Sequence, residues 1–546
     1  MTTRRAESRR PLPRRRCPPT PRRGMVLFVV VIFVAMVSLA GLSYVAVMSM
    51  EHKAARLRGD ELQVEMAVGS GIEAIRAYLA RPPGDARAAA DRGDPQRRFR
   101  GVVVADDAAG GRRTRFSVVS PRVEAERTGG LRFGLSNESA RLNLGTLIEW
   151  DRLHPGSARD ALMKLPEMSQ SIADAILDWI DPDSDPRGSG AEASYYSGLG
   201  LPYGPRNAEP TSLEELLLVR DVTRRQLFGA DENFNYRIDA GEQAAAGTRS
   251  LSPAGAMSSP WAMLLTVFSA EKNARPDGKP KIDLNERDLR SLQGKLVEVI
   301  DSDLATFLIL CRQYRQVRID GTAGGGVPIR TIQLDLAAPA RYQFTSPLDL
   351  LGIAVEVPAN GEQAAPRMVH SPLAASGRAL RETLPTLLDY VTVGSGGVIR
   401  GRVNLDEAPR AVLLAVPGMT EGLAQRIEAQ RRAMARSTDA ARRHPTWLLA
   451  EGLVDLAQMK ALFPFVTCGG DVYRAQVVGF FDDYGPVARA EVVIDATSDP
   501  PRQVYYKDLR LLGRGFSIDE LRGTTAGVAA PLEAPKALET PEWPLG

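Results

Sequence analysis

One uninterrupted apolar run stands out against long stretches of mixed polarity. From Met25 to Met50 the chain reads MVLFVVVIFVAMVSLAGLSYVAVMSM, with no charged residue. That length is ample for a helix crossing roughly 30 Å of hydrocarbon. Beyond Met50, Val68, Ile72, Ile75 and Leu79 recur at helical spacing on an otherwise polar run that ends at Arg81-Pro82-Pro83. The pattern predicts one long helix, apolar in its first half and amphipathic in its second. A polar linker follows at residues 84–95. Phe99 to Val104, Thr114 to Val119 and Leu131 to Leu135 then read as short strands between Gly and charged turns. Tyr473 to Phe481, Ala488 to Ile494 and Gln503 to Tyr506 repeat that pattern near the other end. The region between the two strand groups is largely helical in character, which predicts a large insertion into one sheet domain. From Gly523 onward the Pro-rich tail reads as disordered.

The insertion contains a recurring unit. Arg141-Leu142-Asn143-Leu144 precedes LPEMSQSIADAILDWI (Leu165 to Ile180), and Arg402-Val403-Asn404-Leu405 precedes APRAVLLAVPGMTEGLAQRIEAQRR. A third opening, Lys281-Ile282-Asp283-Leu284-Asn285, precedes Leu289, Leu292, Leu296 and Ile300 at helical spacing. In each full copy an Asn-bearing strand end leads to a helix, a Pro-containing turn and a second amphipathic helix, the pattern of a helix-hairpin-helix unit.

Composition adds two constraints. With 44% hydrophobic and 25% charged residues over 546 positions, the chain can fill several cores, and two to four domains are expected. Residues 1–23 carry nine Arg and one Glu, a charge of +8, so the rest of the net +3 sums to −5. The basic character is confined to an arm that stays cytoplasmic under the positive-inside rule, and the body has no overall field for a nucleic-acid backbone. Three cysteines are too few for a disulfide framework; Cys311 and Cys468 either pair or remain free thiols. The four histidines are scattered, and no metalloprotease, nucleophile-elbow or phosphate-loop motif occurs, so the chain is not expected to be an enzyme.

Arg23-Gly24 followed by Met25 and the apolar run resembles the type IV prepilin leader, cleaved after the glycine, which implies leader cleavage between Gly24 and Met25. Most pilins carry Glu at the fifth mature position; here that position is Val29, which suits the one class that lacks it. Together with this leader, RLNL, AILDWIDPDSDPRGSGAEASYY (Ala175 to Tyr196), TSLEELLLVRDVT (Thr211 to Thr223) and RVNLDEAPRAVLLAVPGM make the chain resemble general secretion pathway protein K, the large minor pseudopilin of type II secretion. The likeness runs in patches over about residues 20 to 510, and Ser250 to Pro366 includes material without a close match.

The resemblance implies a single-pass inner-membrane protein with its bulk in the periplasm, acting at the end of the pseudopilus in protein export across the outer membrane. Its implied partners are the minor pseudopilins of the I and J classes, the pseudopilus and a prepilin peptidase, with no nucleic acid. A membrane-anchored DNA receptor of the competence type is the alternative, because it too joins one apolar helix to helix-hairpin-helix units. The fold expected is α+β: a pilin-type spine helix on a small antiparallel sheet, interrupted by a large helical insertion with helix-hairpin-helix-like (SAM-like) units. The divisions are 1–24, basic leader; 25–82, transmembrane and spine helix; 96–140, first part of the sheet; 141–250, helical domain with acidic loops; 251–470, second helical region; 471–510, returning strands; and 523–546, tail.

Two acidic loops are candidate calcium sites. Asp181, Asp183, Asp185 and Glu192 stand at positions 1, 3, 5 and 12 of an EF-hand-type loop. Asp231, Asn233, Asn235, Arg237, Asp239 and Glu242 stand at positions 1, 3, 5, 7, 9 and 12 of another. Alternating oxygen donors suit Ca²⁺, which takes six to eight hard ligands from one tight turn. Position 6 should be Gly but is Pro186 or Tyr236, and proline cannot take positive φ, so the first loop is not a standard EF-hand turn. Calcium binding in the helical domain is known of the K family, which implies a role for the first loop.

Overall fold

The computed structural model describes residues 23–81, 98–106, 112–124, 127–200, 202–239, 241–242, 259–319, 326–358, 366–374, 377–433 and 440–523. The basic arm before Arg23, the 84–95 linker, Cys17 and the tail after Gly523 lie outside these residues.

The chain divides into two compact units, Met1–Leu62 and Gln63–Gly546. Helix α1 (Arg23–Leu79) is continuous over 57 residues. In the first unit its apolar side chains are exposed, with Leu27 at 68% and Leu39 at 70%. The helix is long and apolar enough to cross a membrane, and none of its hydrophobic window is buried.

In the second unit the last turns of α1 pack on an antiparallel sheet of seven strands. These are β1 (Val102–Asp106), β2 (Arg113–Glu124), β3 (Arg127–Phe133), β4 (Ser136–Asn137), β5 (Val472–Phe481), β6 (Ala488–Asp495) and β7 (Arg502–Asp508). Their order is β1-β2-β5-β6-β7, with β3 beside β2 and β4 beside β5. Val64, Val68, Ile72 and Ile75, one helical stripe, meet Phe116, Val118, Ala475, Val477, Ala490, Val492 and Ile494, which alternate along the strands. The helix lies unusually close. A Cβ on Gly71 would stand 2.4 Å from Val477 Cγ1, and one on Gly479 would stand 2.2 Å from the Val64 carbonyl oxygen. The strand predicted from Phe99 begins later, at Val102, because Phe99 ends a short helical turn and buries its ring against Tyr78.

Residues 138–471 form the insertion between β4 and β5, organised by three parallel strand pairs. Leu142–Asn143 pairs with Leu265–Thr266, Ile282–Asp283 with Val391–Thr392, and Val403–Asn404 with Val466–Thr467. In each, the Asx side chain accepts a hydrogen bond from the N–H two residues on: Asn143 from Gly145 at 2.9 Å, Asp283 from Asn285 at 2.9 Å, Asn404 from Asp406 at 2.8 Å. The openings were legible in the sequence; the closing apolar-Thr dipeptides were not recognised as their partners. One hydrophobic core runs through all three pairs.

Helices α2 (Leu147–Leu153), α3 (Ser157–Leu162), α4 (Gln170–Ile180) and α5 (Ala193–Gly198) follow the first opening. Helices α6 (Arg410–Ala415) and α7 (Glu421–Ala433) follow the last. The α3–α4 and α6–α7 turns match in geometry: Glu167 sits at φ 57° and Gly418 at φ 81°, each between a Pro and a Met. At the second turn Thr420 accepts the Leu423 N–H, and Glu421 in the first turn of α7 pairs with Arg410. The arginines after it are not simply a solvated face. Arg431 donates to the carbonyls of Leu405 and Ala408, and Arg442 pairs with Glu451 over the Trp447 ring.

The insertion leaves and rejoins the sheet at one buried cluster. Glu138 is fully buried and is gripped by Arg141 at 2.6 Å, by Arg474 of β5 at 2.8 Å and by the Thr266 hydroxyl. Arg474 also reaches Glu491 of β6 at 3.2 Å. Burial works to raise the Glu138 pKa, but the two guanidinium groups prevail and hold it at about 2. Beside it, the Asn137 amide donates to the Gly470 carbonyl at 3.2 Å.

Replacing Gly479 with Ala places a methyl against main chain that cannot swing aside, so Gly479→Ala should cost about 1–3 kcal/mol of stability. Denaturant unfolding of the full chain in detergent measures this; a change within about 0.5 kcal/mol, the scale of a neutral surface substitution, would show that α1 does not dock this closely.

Candidate metal centre

Helix α4 is capped by Ser169, whose hydroxyl accepts the Ile172 N–H, and nine of its residues are buried. Two of the nine are Asp174 and Asp178, one turn apart and fully buried. Their carboxylates organise the loop that leaves the helix. Asp174 takes Arg159 at 2.6 Å and the Ser189 N–H at 3.1 Å; Asp178 takes the Arg187 N–H at 3.1 Å. The loop passes so close that a Cβ on Gly190 would stand 1.8 Å from Asp178 Oδ2. Arg220 donates to the Gly190 carbonyl at 2.9 Å, and the Asn207 side-chain amide donates to the Asp183 carbonyl at 2.6 Å. Trp179, hydrogen-bonded to Glu215, packs edge-on against Tyr196 beneath the loop.

The loop so held brings Asp181, Asp183 and Glu192 together, with one oxygen from each within 4.8 Å of the others. Among the described residues this is the one grouping of acidic, His or Cys side chains able to hold a metal ion. Asp181 and Glu192 are each 3% exposed, while Asp183 forms an open rim. Asp181 Oδ1 and both Glu192 oxygens are buried without a hydrogen-bond partner among the described residues. Carboxylates in that state are normally satisfied by a proton or a cation. Burial, then the neighbouring Asp183, push the Asp181 pKa up to about 6; burial, then Asp178, raise Glu192. Three hard oxygens converging at a water-accessible rim suit a divalent cation of the calcium class. Asp185 is the member of the predicted set left out: it is exposed, and its N–H donates to Asp183 Oδ1.

The second predicted loop is organised differently. Asp231 accepts the N–H groups of Asn235 and Tyr236 at 3.1 and 2.7 Å, and Glu242 accepts those of Glu232, Asn233 and Asp239. The Asn233 and Asn235 amides both donate to Asp239 Oδ2. Its carboxylates thus serve the loop's own backbone and do not converge as those of the first loop do. Tyr236, where the pattern wants Gly, nevertheless takes φ 65°, and its buried ring joins Val478, Phe480 and Phe516. Arg237 pairs outward with Glu520. Burial and Glu242 push the Asp231 pKa up to about 6 against its backbone hydrogen bonds.

The remaining sites are simpler. Gly24 and Met25 lie in the first turn of α1, with Met25 exposed. Cys311 and Cys468 are both free. Asp178 and Arg187 were missed in the sequence. Two aspartates one turn apart on an otherwise apolar helix were a usable signal for the first; nothing in the spacing marked the second.

These shifts fix a pH dependence. Asp181 and Asp231 bind protons more readily folded than unfolded between about pH 4 and 6, so their contribution to stability grows as pH falls through that window. Glu138, held at about 2, acts oppositely: its contribution is present above its ordinary value and is lost as pH falls toward 2. The full chain in chelator should therefore melt higher at about pH 5 than at about pH 7, and Asp181→Asn should flatten that rise. Equal melting temperatures would contradict the burial of these carboxylates.

Residues 140–227, the stretch that contains this loop, match the family model for protein K of the type II secretion system (T2SS). No curated protein sequence matches the chain. Among solved structures, the GspK–GspI–GspJ complex of the type 2 secretion system of enterotoxigenic Escherichia coli aligns at 9% identity and a TM-score of 0.34, covering 84% of this chain and 98% of that one. The protein K match thus lies on the segment that builds the buried loop, behind an apolar N-terminal helix, and over residues 140–227 the chain is similar to protein K of the type II secretion system.

Proposed function

We propose that this chain is a minor pseudopilin of the type II secretion system that caps or initiates the pseudopilus, anchored by α1 in the inner membrane with its bulk in the periplasm, together with minor pseudopilins of the I and J classes. The observation that carries this reading is the insertion of residues 138–471 into the sheet on which the spine helix packs. A subunit inside a helical shaft is bounded by neighbours above and below, and a helical domain of this size would collide with them; at an end it meets nothing. Val29 fits the same position, because the usual glutamate pairs with the amine of the subunit ahead. A DNA-receptor role is disfavoured by Glu421, whose carboxylate sits in the first turn of α7 where a hairpin would hold phosphate.

The test is expression of the full chain with a prepilin peptidase and the I- and J-class subunits. The mature protein should begin at Met25 and co-purify with both partners, and its deletion should abolish export. An intact Met1 in a secreting strain, or incorporation along the whole filament shaft, would refute the reading.

We also propose that the Asp181, Asp183 and Glu192 group holds calcium, which would supply the positive charge that the buried oxygens lack. The second loop (Asp231, Asn233, Asn235, Asp239, Glu242, and Arg237 through its carbonyl) is the weaker site, since backbone N–H groups already engage two of its carboxylates. At a hundredfold excess over Kd, calcium should stabilise the full chain by about 2.7 kcal/mol. Thermal unfolding should show a rise with Ca²⁺ and little with Mg²⁺, abolished by Asp181→Ala or Glu192→Ala. Persistence of the rise in those variants and its loss in Asp231→Ala would move the site to the second loop.

A further inference from the structure

The Arg187 guanidinium lies among three carboxylates, Asp151 from α2 and Asp178 and Asp181 from the C-terminal end of α4. Its Nη1 is 3.4 Å from Asp151 Oδ2, its Nε is 3.7 Å from Asp178 Oδ1, and its Nη2 is 3.2 Å from Asp181 Oδ2. Asp178 and Asp181 are both buried, and carboxylates so placed need a countercharge within a few ångströms. The contact with Asp181 uses one oxygen only. The other, Oδ1, is buried without a hydrogen-bond partner, and the grouping with Asp183 and Glu192 takes one oxygen from this carboxylate. Arg187 and the acidic grouping therefore share one carboxylate, of which the guanidinium engages Oδ2 and leaves Oδ1 unengaged.

We propose that Arg187 is a resident stand-in for the divalent cation: it keeps the Asp181–Glu192 loop folded when no metal is bound, and it limits how tightly the loop binds metal. The inference rests on the calcium reading above and adds to it a residue that is not a ligand. Two physical consequences follow from the geometry. With one Asp181 oxygen held by the guanidinium, that side chain offers the metal a single oxygen. A positive charge a few ångströms from the site also opposes a second cation, and calcium affinity is set by the charge and rigidity of the ligand set. Without the guanidinium, Asp151, Asp178 and Asp181 would repel one another in the metal-free protein, whereas calcium would relieve much of that repulsion. The cost of losing Arg187 should accordingly fall on the metal-free state.

The experiment compares the full chain in detergent with Arg187→Gln and Arg187→Lys, all purified in calcium so that each is folded, then melted in CaCl₂ and in EGTA, with Kd measured by calorimetry. Arg187→Gln should melt close to the parent in calcium and well below it in EGTA, so that its calcium-induced shift exceeds that of the parent. Its Kd for Ca²⁺ should be about tenfold lower, the scale expected for removing one nearby charge. Arg187→Lys, which keeps the charge, should stay near the parent. A merely structural role for Arg187 would lower both melting temperatures equally and leave the shift unchanged; a role in presenting Asp181 to the metal would shrink the shift and weaken Kd. Either outcome overturns the proposal while leaving calcium binding by the parent intact. Absence of a calcium shift in both parent and Arg187→Gln would overturn the calcium reading and this inference together.

Discussion

The buried charge cluster around Glu138 is the constraint on which the second compact unit depends. Residues 138–471 depart from a sheet and must return to it in register, and the sheet survives only if departure and return lie side by side. Glu138 and Arg141 stand at the departure, Arg474 at the return, and Glu491 on the next strand. Removing any one partner would strand a charge in the interior, which is far costlier than the pair is stabilising. The cluster thus acts as a specificity device: it excludes arrangements of the insertion in which these residues do not meet. Arg474 extends the constraint by lying over the rings of Phe268 and Tyr505.

The same logic of charge in a low-dielectric setting governs the acidic loop, with a different outcome. At Glu138 two guanidinium groups exceed the burial penalty and the carboxylate stays ionised. At Asp181 and Glu192 burial prevails and the pKa values rise. The first arrangement is complete within the chain; the second leaves oxygens unmatched. That contrast separates an ion cluster whose charges are matched within the chain from a carboxylate grouping whose charges are not.

Much of this was legible in the sequence because it rests on periodicity. The apolar stretch, the helical stripe Val68-Ile72-Ile75 and the alternating strands each follow from a repeat of 3.6 or 2 residues. The Asx openings were legible through local hydrogen bonding to the backbone two residues on. What escaped was long-range. Nothing near Asn143 announces Thr266 as the neighbouring strand, and nothing near Asp181 announces Arg187 as its partner in preference to any other arginine. The EF-hand spacing picked out Asp181, Asp183 and Glu192, which the fold brings together, and Asp185, which it leaves out, because a place in the pattern says nothing about where a side chain turns. In the second loop the spacing was present, but the oxygens were committed to the main chain. Tyr236 stands where the pattern wants Gly, and burial of its ring offsets the strain of its positive φ.

The three parallel strand pairs have a consequence for how the chain can fold at all. Returning β5 to the sheet across an unstructured connection of roughly 330 residues would carry a closure entropy of roughly 5 kcal/mol, set against its pairing with β4 over two residue pairs and with β2 over six. Each strand pair shortens that span by fastening its own two ends, so a folded insertion presents Asn137 and Gly470 to one another as though only a short turn separated them. A chain whose insertion has not folded meets that closure cost in full, and until it is met α1 has only the strands before the insertion to pack on.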